Sequence, residues 1–406
     1  MNPGQSAIVT RQDPSSAGAG LPRHLLMYEP RVEGHHPAWL RFLTEDLLSG
    51  GYRLTLAVDR RERAREILED NLGGRLSQVG LVSALDDAGR RRGGNSLRAV
   101  AICLEESGAD QVFLPEFDEI ASALLRRAAV GGRPAAALRG RIGGIYHRPR
   151  FLAAPRWSPN RWLKQRGFER LLTESWLKPL LFLDEYLLRE LSVRHPGASL
   201  AFLPNPCPAG FPGERAGARR ELGLPAGRHV FLFYGGGYRR KGLHLAVEAF
   251  RGLRAEEPAF LLCAGRQDPD ARTARGLGEL TRQGRARSLN RYVASAEEAA
   301  CFVACDFVLL PYINHFGISA VLAQAAAARK PVIASAEQLL GRETQEYGLG
   351  LLFPSGDAAA LRACVREAWS LPEARRAGLV NALESYARSH SRAAYRAAVL
   401  AALARP

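Results

Sequence analysis

Phe231-Leu232-Phe233-Tyr234-Gly235-Gly236-Gly237-Tyr238-Arg239-Arg240-Lys241-Gly242 is the stretch whose reading decides the fold. Its large apolar run, opened by Val230, reads as a strand buried on both faces. Three glycines end the strand, three cations follow, and Leu243 to Leu253 carries the apolar spacing of a helix. Strand, glycine turn and helix in that order open a βαβ unit. Glycines let backbone amides approach an anion, and a loop at the carboxyl end of a strand is where open α/β sheets bind ligands. Arg239, Arg240 and Lys241 are placed to neutralise a diphosphate. The alternative for these residues is a tight turn with a solvated basic tip.

Downstream, Phe260 to Ala264 is a strand that ends at Gly265, and Phe307 to Leu310 is another that ends at Pro311. A polar turn follows, and a helix is expected to begin near Gly317 to Ser319, whose free N–H groups form an anion site. The helix runs from Val321 to Ala328, and Val332-Ile333-Ala334 is the next strand. The plainer reading of the alanine run, Ala325 to Ala328, is that it lets a helix lie close on a sheet. Ala358 to Trp369 and Ala393 to Ala404 have helical spacing.

Upstream, His24 to Tyr28 is a strand, Ala38 to Leu48 a helix closed by Gly50-Gly51, and Leu54 to Val58 a strand. A helical stretch around Ala64 to Asn71 follows, with further strands at Gln111 to Leu114 and Ile142 to Tyr146. Alternation of this kind implies a mostly parallel sheet with helices on both faces. Ala201-Phe202-Leu203-Pro204-Asn205-Pro206-Cys207-Pro208 cannot continue a helix or a central strand, so it is the expected linker. The expected organisation is a disordered leader (1–22), an N-terminal Rossmann-like domain (23–205), a C-terminal Rossmann-like domain (206–385), and a terminal helix (386–406) packing back on the first domain.

Composition sets the outer limits. At roughly 100–200 residues per domain, 406 residues suit two domains. A chain that is 47% hydrophobic and 24% charged is globular. No run has the roughly 18 apolar residues of a membrane span, and no basic-then-apolar leader opens the chain, so a cytoplasmic location is expected. The six cysteines form no CxxC pair and read as reduced core thiols. Neither the i, i+4 pair Cys301 and Cys305 nor His35-His36 has companions that complete a metal site, so no metal and no cofactor are expected. The net charge of +15 is spread along the chain and favours anionic partners. No nucleic-acid-binding motif accompanies it, so a nucleic-acid partner is not expected.

Taken together, the two glycine turns and their flanks resemble the nucleotide-sugar-binding domain of retaining GT-B glycosyltransferases of the family 4 type. Gly235 with Lys241-Gly242 resembles the family's first turn. Pro311, Phe316-Gly317, Ala325 to Ala328 and Pro331-Val332-Ile333-Ala334 resemble the second. Gly348 to Phe353 and Gly356-Asp357 resemble its closing stretch. The resemblance covers roughly 200–385 and implies the GT-B fold: two doubly wound α/β domains facing a central cleft. More weakly, Gly34-His35-His36 resembles the family's glycine-rich acceptor-side loop, and His147 a histidine near the reaction centre. Two departures stand out. Gly236 occupies the place of an expected arginine, leaving Arg239 or Arg240 to supply the second cation. The family's paired glutamates are absent: the first would fall at Asn314, and the second at Gln324 or Leu322, depending on the direction of counting.

The resemblance implies sugar transfer from a nucleotide-diphosphate donor to an acceptor hydroxyl with retention, in lipid-linked glycan or exopolysaccharide synthesis. His147, Lys241 and Arg239 would be catalytic. Gly235, Gly236, Arg240, Asn314, Phe316, Gly317, Ile318, Ser319 and Gln324 would bind the donor, and Gly34, His35 and His36 the acceptor. The rival is a GT-B-shaped binding or scaffold protein without turnover, motivated by the missing glutamates. Between Arg148 and Lys178, basic residues alternate with Trp157, Trp162 and Trp176, a pattern that suits peripheral docking on an anionic membrane surface.

Overall fold

The computed structural model describes residues 23–33, 36–153, 158–267 and 269–404. The expectations for the leader, for Gly34 and His35, and for Arg156 and Trp157 fall outside these residues.

The first domain alternates β1 (His24–Tyr28), α1 (His36–Ser49), β2 (Arg53–Val58), α2 (Glu62–Leu72), β3 (Gly80–Ser83), α3 (Ser96–Ser107), β4 (Gln111–Leu114) and α4 (Asp118–Ala129). It continues with β5 (Ile142–Tyr146), α5 (Arg150–Ala153), α6 (Pro159–Thr173), β6 (Leu177–Phe182), α7 (Glu185–Arg194) and β7 (Leu200–Phe202). The second opens with α8 (Arg215–Glu221), β8 (His229–Tyr234), α9 (Leu243–Arg251), β9 (Ala259–Ala264), α10 (Ala271–Arg282), β10 (Ala286–Leu289) and α11 (Ser295–Ala304). After these come β11 (Phe307–Leu310), α12 (Ala320–Ala327), β12 (Val332–Ser335), α13 (Gln338–Glu346), β13 (Gly350–Phe353), α14 (Ala358–Trp369), α15 (Glu373–Ser389) and α16 (Arg392–Ala404).

All strand pairs within the two sheets are parallel. Their orders are β3-β2-β1-β4-β5-β6-β7 and β10-β9-β8-β11-β12-β13. The pleat explains why the central strands are apolar throughout. Phe231 and Phe233 point into a core shared with α9 and α14, while Val230 and Leu232 point into one shared with α11 and α12. In each sheet the direction of strand addition reverses beside the first strand, between β1 and β4 and between β8 and β11. Such a switch point opens a crevice at the carboxyl edge.

One sequence expectation is corrected. Ala201 and Phe202, expected in the linker, form with Leu200 the edge strand β7, paired with β6 through Leu180 and Leu200. α15 runs on through residue 385 to Ser389, and α16 starts at Arg392. Tyr395, Val399, Ala402 and Leu403 of α16 enter the core formed by α1 and β1 of the first domain. β6 also went unread. Pro179 interrupts it, and its pairing with β5 shifts register between Ile142 and Gly144, which accommodates a residue that cannot donate to the ladder.

The 148–178 stretch divides in two. Phe151, Phe168, Leu171, Leu172 and Trp176 are buried in the first domain's core, so the aromatic interleaving there is largely packing. Trp162 is 50% exposed, and the Arg166 guanidinium lies 5.5 Å from its ring centroid. Ser158 caps α6, accepting from Arg161 N–H at 3.2 Å, with Pro159 in the first position. Gly167 brings α6 onto α4, since a Cβ there would lie 1.8 Å from the Leu125 carbonyl oxygen.

Candidate functional site

The second domain's switch point is flanked by the loops after β8 and β11. The chain after Tyr234 passes Gly235-Gly236-Gly237, makes one 3-10 turn over Arg239–Lys241, and enters α9 through Gly242. Gly242 has φ +76°, and a Cβ on it would stand 1.8 Å from the Pro311 carbonyl oxygen. Only glycine lets these two loops approach so closely. Ile313 N–H then donates to the Arg240 carbonyl at 2.9 Å and fastens them together.

Two cations meet the second loop there. The Lys241 ammonium sits 3.8 Å from the Tyr312 ring centroid, a cation–π contact. Burial, and then neighbouring Arg240, bring its pKa down to about 8. Arg240 Nη1 donates to His315 Nδ1, and His315 Nε2 donates to the Ile318 carbonyl at 3.1 Å. A guanidinium can only donate and a carbonyl can only accept, so this ring is neutral with its proton on Nε2. Burial, followed by the Lys241 charge, agrees, taking its pKa down to about 4. His315 was not singled out from the sequence, yet it aims Arg240. Arg239 is exposed on the same turn.

The glycine loop is less open than its composition implies. Gly235 N–H donates to the Ala264 carbonyl at 2.8 Å, and Gly237 N–H to the Arg266 carbonyl at 3.2 Å. Two of the three glycine amides are therefore taken up by the last residue of β9 and by the loop after it, which leaves the cations as the stronger anion-binding feature. In the second turn, α12 starts at Ala320 and Ser319 is its cap, accepting from Leu322 N–H at 3.2 Å. The amides of Gly317, Ile318 and Ser319 have no acceptor among the described residues. Asn314 is exposed at φ +49°, and its N–H donates to Glu337 Oε2 at 3.1 Å. Gln324 Nε2 donates to Glu298 Oε1, a partner from α11.

The first domain presents its own switch point to the same cleft. His36 Nδ1 is 3.1 Å from Glu29 Oε2 after β1, and 3.9 Å from Glu116 Oε1 after β4. Arg31 bonds Glu116, and burial pushes the Glu29 carboxyl above its ordinary range. His147, after β5, donates its backbone N–H to Asp118 Oδ2 at 2.9 Å, and its Nε2 lies 2.9 Å from the Pro115 carbonyl. That contact puts the ring proton on Nε2 and leaves Nδ1 as an acceptor. Burial holds this imidazole below its usual pKa. Glu29, Arg31, Glu116 and Asp118 were invisible in the sequence because nothing local marks them.

The domains meet across these edges. A Cβ on Gly317 would lie 3.6 Å from the His147 carbonyl oxygen, and the Arg150 guanidinium is 5.8 Å from the Phe316 ring centroid. His147, Arg148, Arg150, Phe316 and Gly317 line one narrow pocket. Among the described residues, no group of three or more His, Cys, Asp or Glu side chains is placed to hold a metal ion. No described helix is long and apolar enough to cross a membrane.

Residues 228–370 match the family model described as glycosyl transferases group 1. No curated protein matches the chain in sequence. Among solved structures, a glycosyltransferase from Rickettsia africae is similar at TM-score 0.68, with 12% identity over 94% of this chain and 97% of that one. Anabaena HepE in complex with UDP is similar at TM-score 0.64, with 15% identity over 94% and 99%. The sucrose-phosphate synthase of Thermosynechococcus elongatus gives TM-score 0.62, with 16% identity over 92% and 96%. Two facing parallel-sheet domains give this chain the GT-B fold, and its second domain carries the region that matches glycosyl transferases group 1.

Proposed function

We propose that this protein transfers a sugar from a nucleoside-diphosphate donor to an acceptor hydroxyl with retention. The observation that carries the reading is the convergence of Lys241 and Arg240 on the turn after β11, at the second domain's switch point. Anion-binding groups held in a partly desolvated crevice stabilise charge developing on a leaving diphosphate. The bond between the sugar's anomeric carbon and the diphosphate oxygen breaks as the acceptor oxygen bonds to that carbon on the same face, and the acceptor hydroxyl's proton passes to the departing diphosphate oxygen. Lys241, with Arg240 or Arg239, meets the growing charge, and the amides of Gly317, Ile318 and Ser319 add to it. Phe316, Gly235 and Gly236 shape the same crevice. Asn314 is placed to reach sugar hydroxyls, and the acceptor enters past His36. The known structure of Anabaena HepE with UDP supports a nucleotide donor for this fold. No metal is needed in this scheme.

His147 is placed to accept a hydrogen bond from a sugar hydroxyl through Nδ1. His147→Ala is expected to lower kcat by about 10²-fold with little change in Tm, because the ring's own hydrogen bond is to one carbonyl and the bond to Asp118 comes from the backbone N–H, which alanine keeps. Normal specific activity with a large fall in Tm would assign the ring a structural role only. The binding-or-scaffold alternative rests on the two missing glutamates, the first expected at Asn314 and the second at Gln324 or Leu322. Nucleoside diphosphate release by the wild-type protein decides between the two.

A lipid-linked acceptor fits the outward face of α4 and α6. Val130 is 74% exposed beside Arg126 and Arg127, and Trp162 lies exposed next to Arg166 on the packed neighbour. Arginines attract anionic headgroups and tryptophan settles in the interfacial layer, with each cation contributing about 1 kcal/mol. Co-sedimentation with anionic liposomes is expected at low salt and not at high salt. No sedimentation at low salt, or equal sedimentation with neutral liposomes, would favour a soluble acceptor and a chain synthesised away from a membrane.

A further inference from the structure

At the carboxyl edge of the second sheet, three side chains from separate elements converge beside the glycine loop. Tyr234 is the last residue of β8 and directly precedes Gly235. Glu298 lies in the first turn of α11, just after the carboxyl end of β10. Gln324 lies on α12, past the Ser319 cap. The Tyr234 hydroxyl and Gln324 Nε2 both donate to the Glu298 carboxylate. All three side chains are only partly buried, so the cluster is not sealed in the core, and Tyr234 and Glu298 set it at the carboxyl edge of the sheet, one residue from the glycine loop.

We infer that Glu298, held by Tyr234 and Gln324, is the ribose-binding carboxylate of the donor site, supplied by α11 in place of α12. The inference rests on the donor reading above and names the group that selects a ribonucleotide. A carboxylate has about four acceptor positions, of which two are taken here, leaving positions for the 2′- and 3′-hydroxyls. A carboxylate at the carboxyl edge of an α/β sheet is the usual partner of a ribose diol. Gln324 completes the notch. With its Nε2 committed to Glu298, its amide oxygen remains a second acceptor. The uncharged residue on α12 thus orients a charged one from the neighbouring helix. Burial raises the Glu298 pKa, so the carboxylate gains from any hydroxyl that donates to it.

The experiment is calorimetric binding of UDP, ADP and GDP to the full chain, followed by the 2′,3′-dideoxy form of whichever binds tightest. Wild type is expected to bind the ribonucleotide about tenfold or more tightly than its dideoxy form, as suits hydrogen bonds to a charged acceptor. Glu298→Gln is expected to weaken the ribonucleotide by a similar factor and to leave the dideoxy form unchanged. Equal loss for both ligands would mean that Glu298 only supports the loop, and would overturn the inference. So would a wild type that fails to discriminate between the two forms, a comparison that needs no variant to fold. If none of the three nucleotides binds, the donor reading fails with it. Nucleotide binding without dependence on Glu298 overturns this inference alone.

Discussion

Lys241→Ala is expected to reduce sugar transfer by about 10²-fold or more while leaving the fold intact. The ammonium is held against the Tyr312 ring and makes no ion pair among the described residues, so its removal breaks no structural bond of consequence. Its contribution grows as charge builds on the leaving diphosphate, which places the loss mainly in kcat. The same residue predicts a pH dependence. Its pKa is lowered from 10.5 to about 8, chiefly by burial, so it is cationic below that pH and neutral above it. Nucleotide affinity is therefore expected to fall as pH rises through about 8. His315, at about 4, contributes no titration in that range. Lys241→Arg keeps its charge throughout and should flatten the profile. Parent-rate transfer by Lys241→Ala would show that the diphosphate binds elsewhere.

Gly242→Ala carries the largest expected effect on stability. A left-handed backbone costs a non-glycine residue about 1–3 kcal/mol. The added Cβ would also sit 1.8 Å from the Pro311 carbonyl oxygen, which belongs to backbone and cannot swing aside. Either the two loops separate or the turn unfolds. Tm should fall by roughly 5 °C or more, and nucleotide binding should weaken with it, because Lys241 and the turn after β11 no longer meet. Gly378→Ala is the control. It lies exposed on α15 with open space around it, and alanine there should be neutral or slightly stabilising. An unchanged Tm for Gly242→Ala would contradict the close approach of the two loops.

The parts of this structure legible in the sequence are those written locally. β8 and β11 announce themselves as apolar runs because both of their faces are buried, and their turns carry Gly, Pro and cations in short order. β3 and β10 escape notice because an edge strand needs fewer apolar residues; Arg287 of β10 is exposed. β7 was hidden by the prolines that follow it. Within the site, Lys241 and Arg240 were visible from one segment alone. Their partners were not, since His315 and Arg240 stand 75 residues apart and meet only when β8 and β11 pair. The same holds for Glu298, which reaches Gln324 across 26 residues. A missing glutamate on α12 is plain in the sequence. A carboxylate arriving from α11 needs the sheet to place it.

Nucleoside diphosphate release from a panel of nucleotide sugars, comparing wild type with Lys241→Ala in the presence of a lipid or glycan acceptor fraction, tests the central claim most directly. The account predicts release from at least one donor by the wild type, with the sugar recovered on an acceptor hydroxyl, and near-complete loss in the variant. Release by both proteins at the same rate would contradict it, as would a wild type that neither binds nor cleaves any nucleotide sugar.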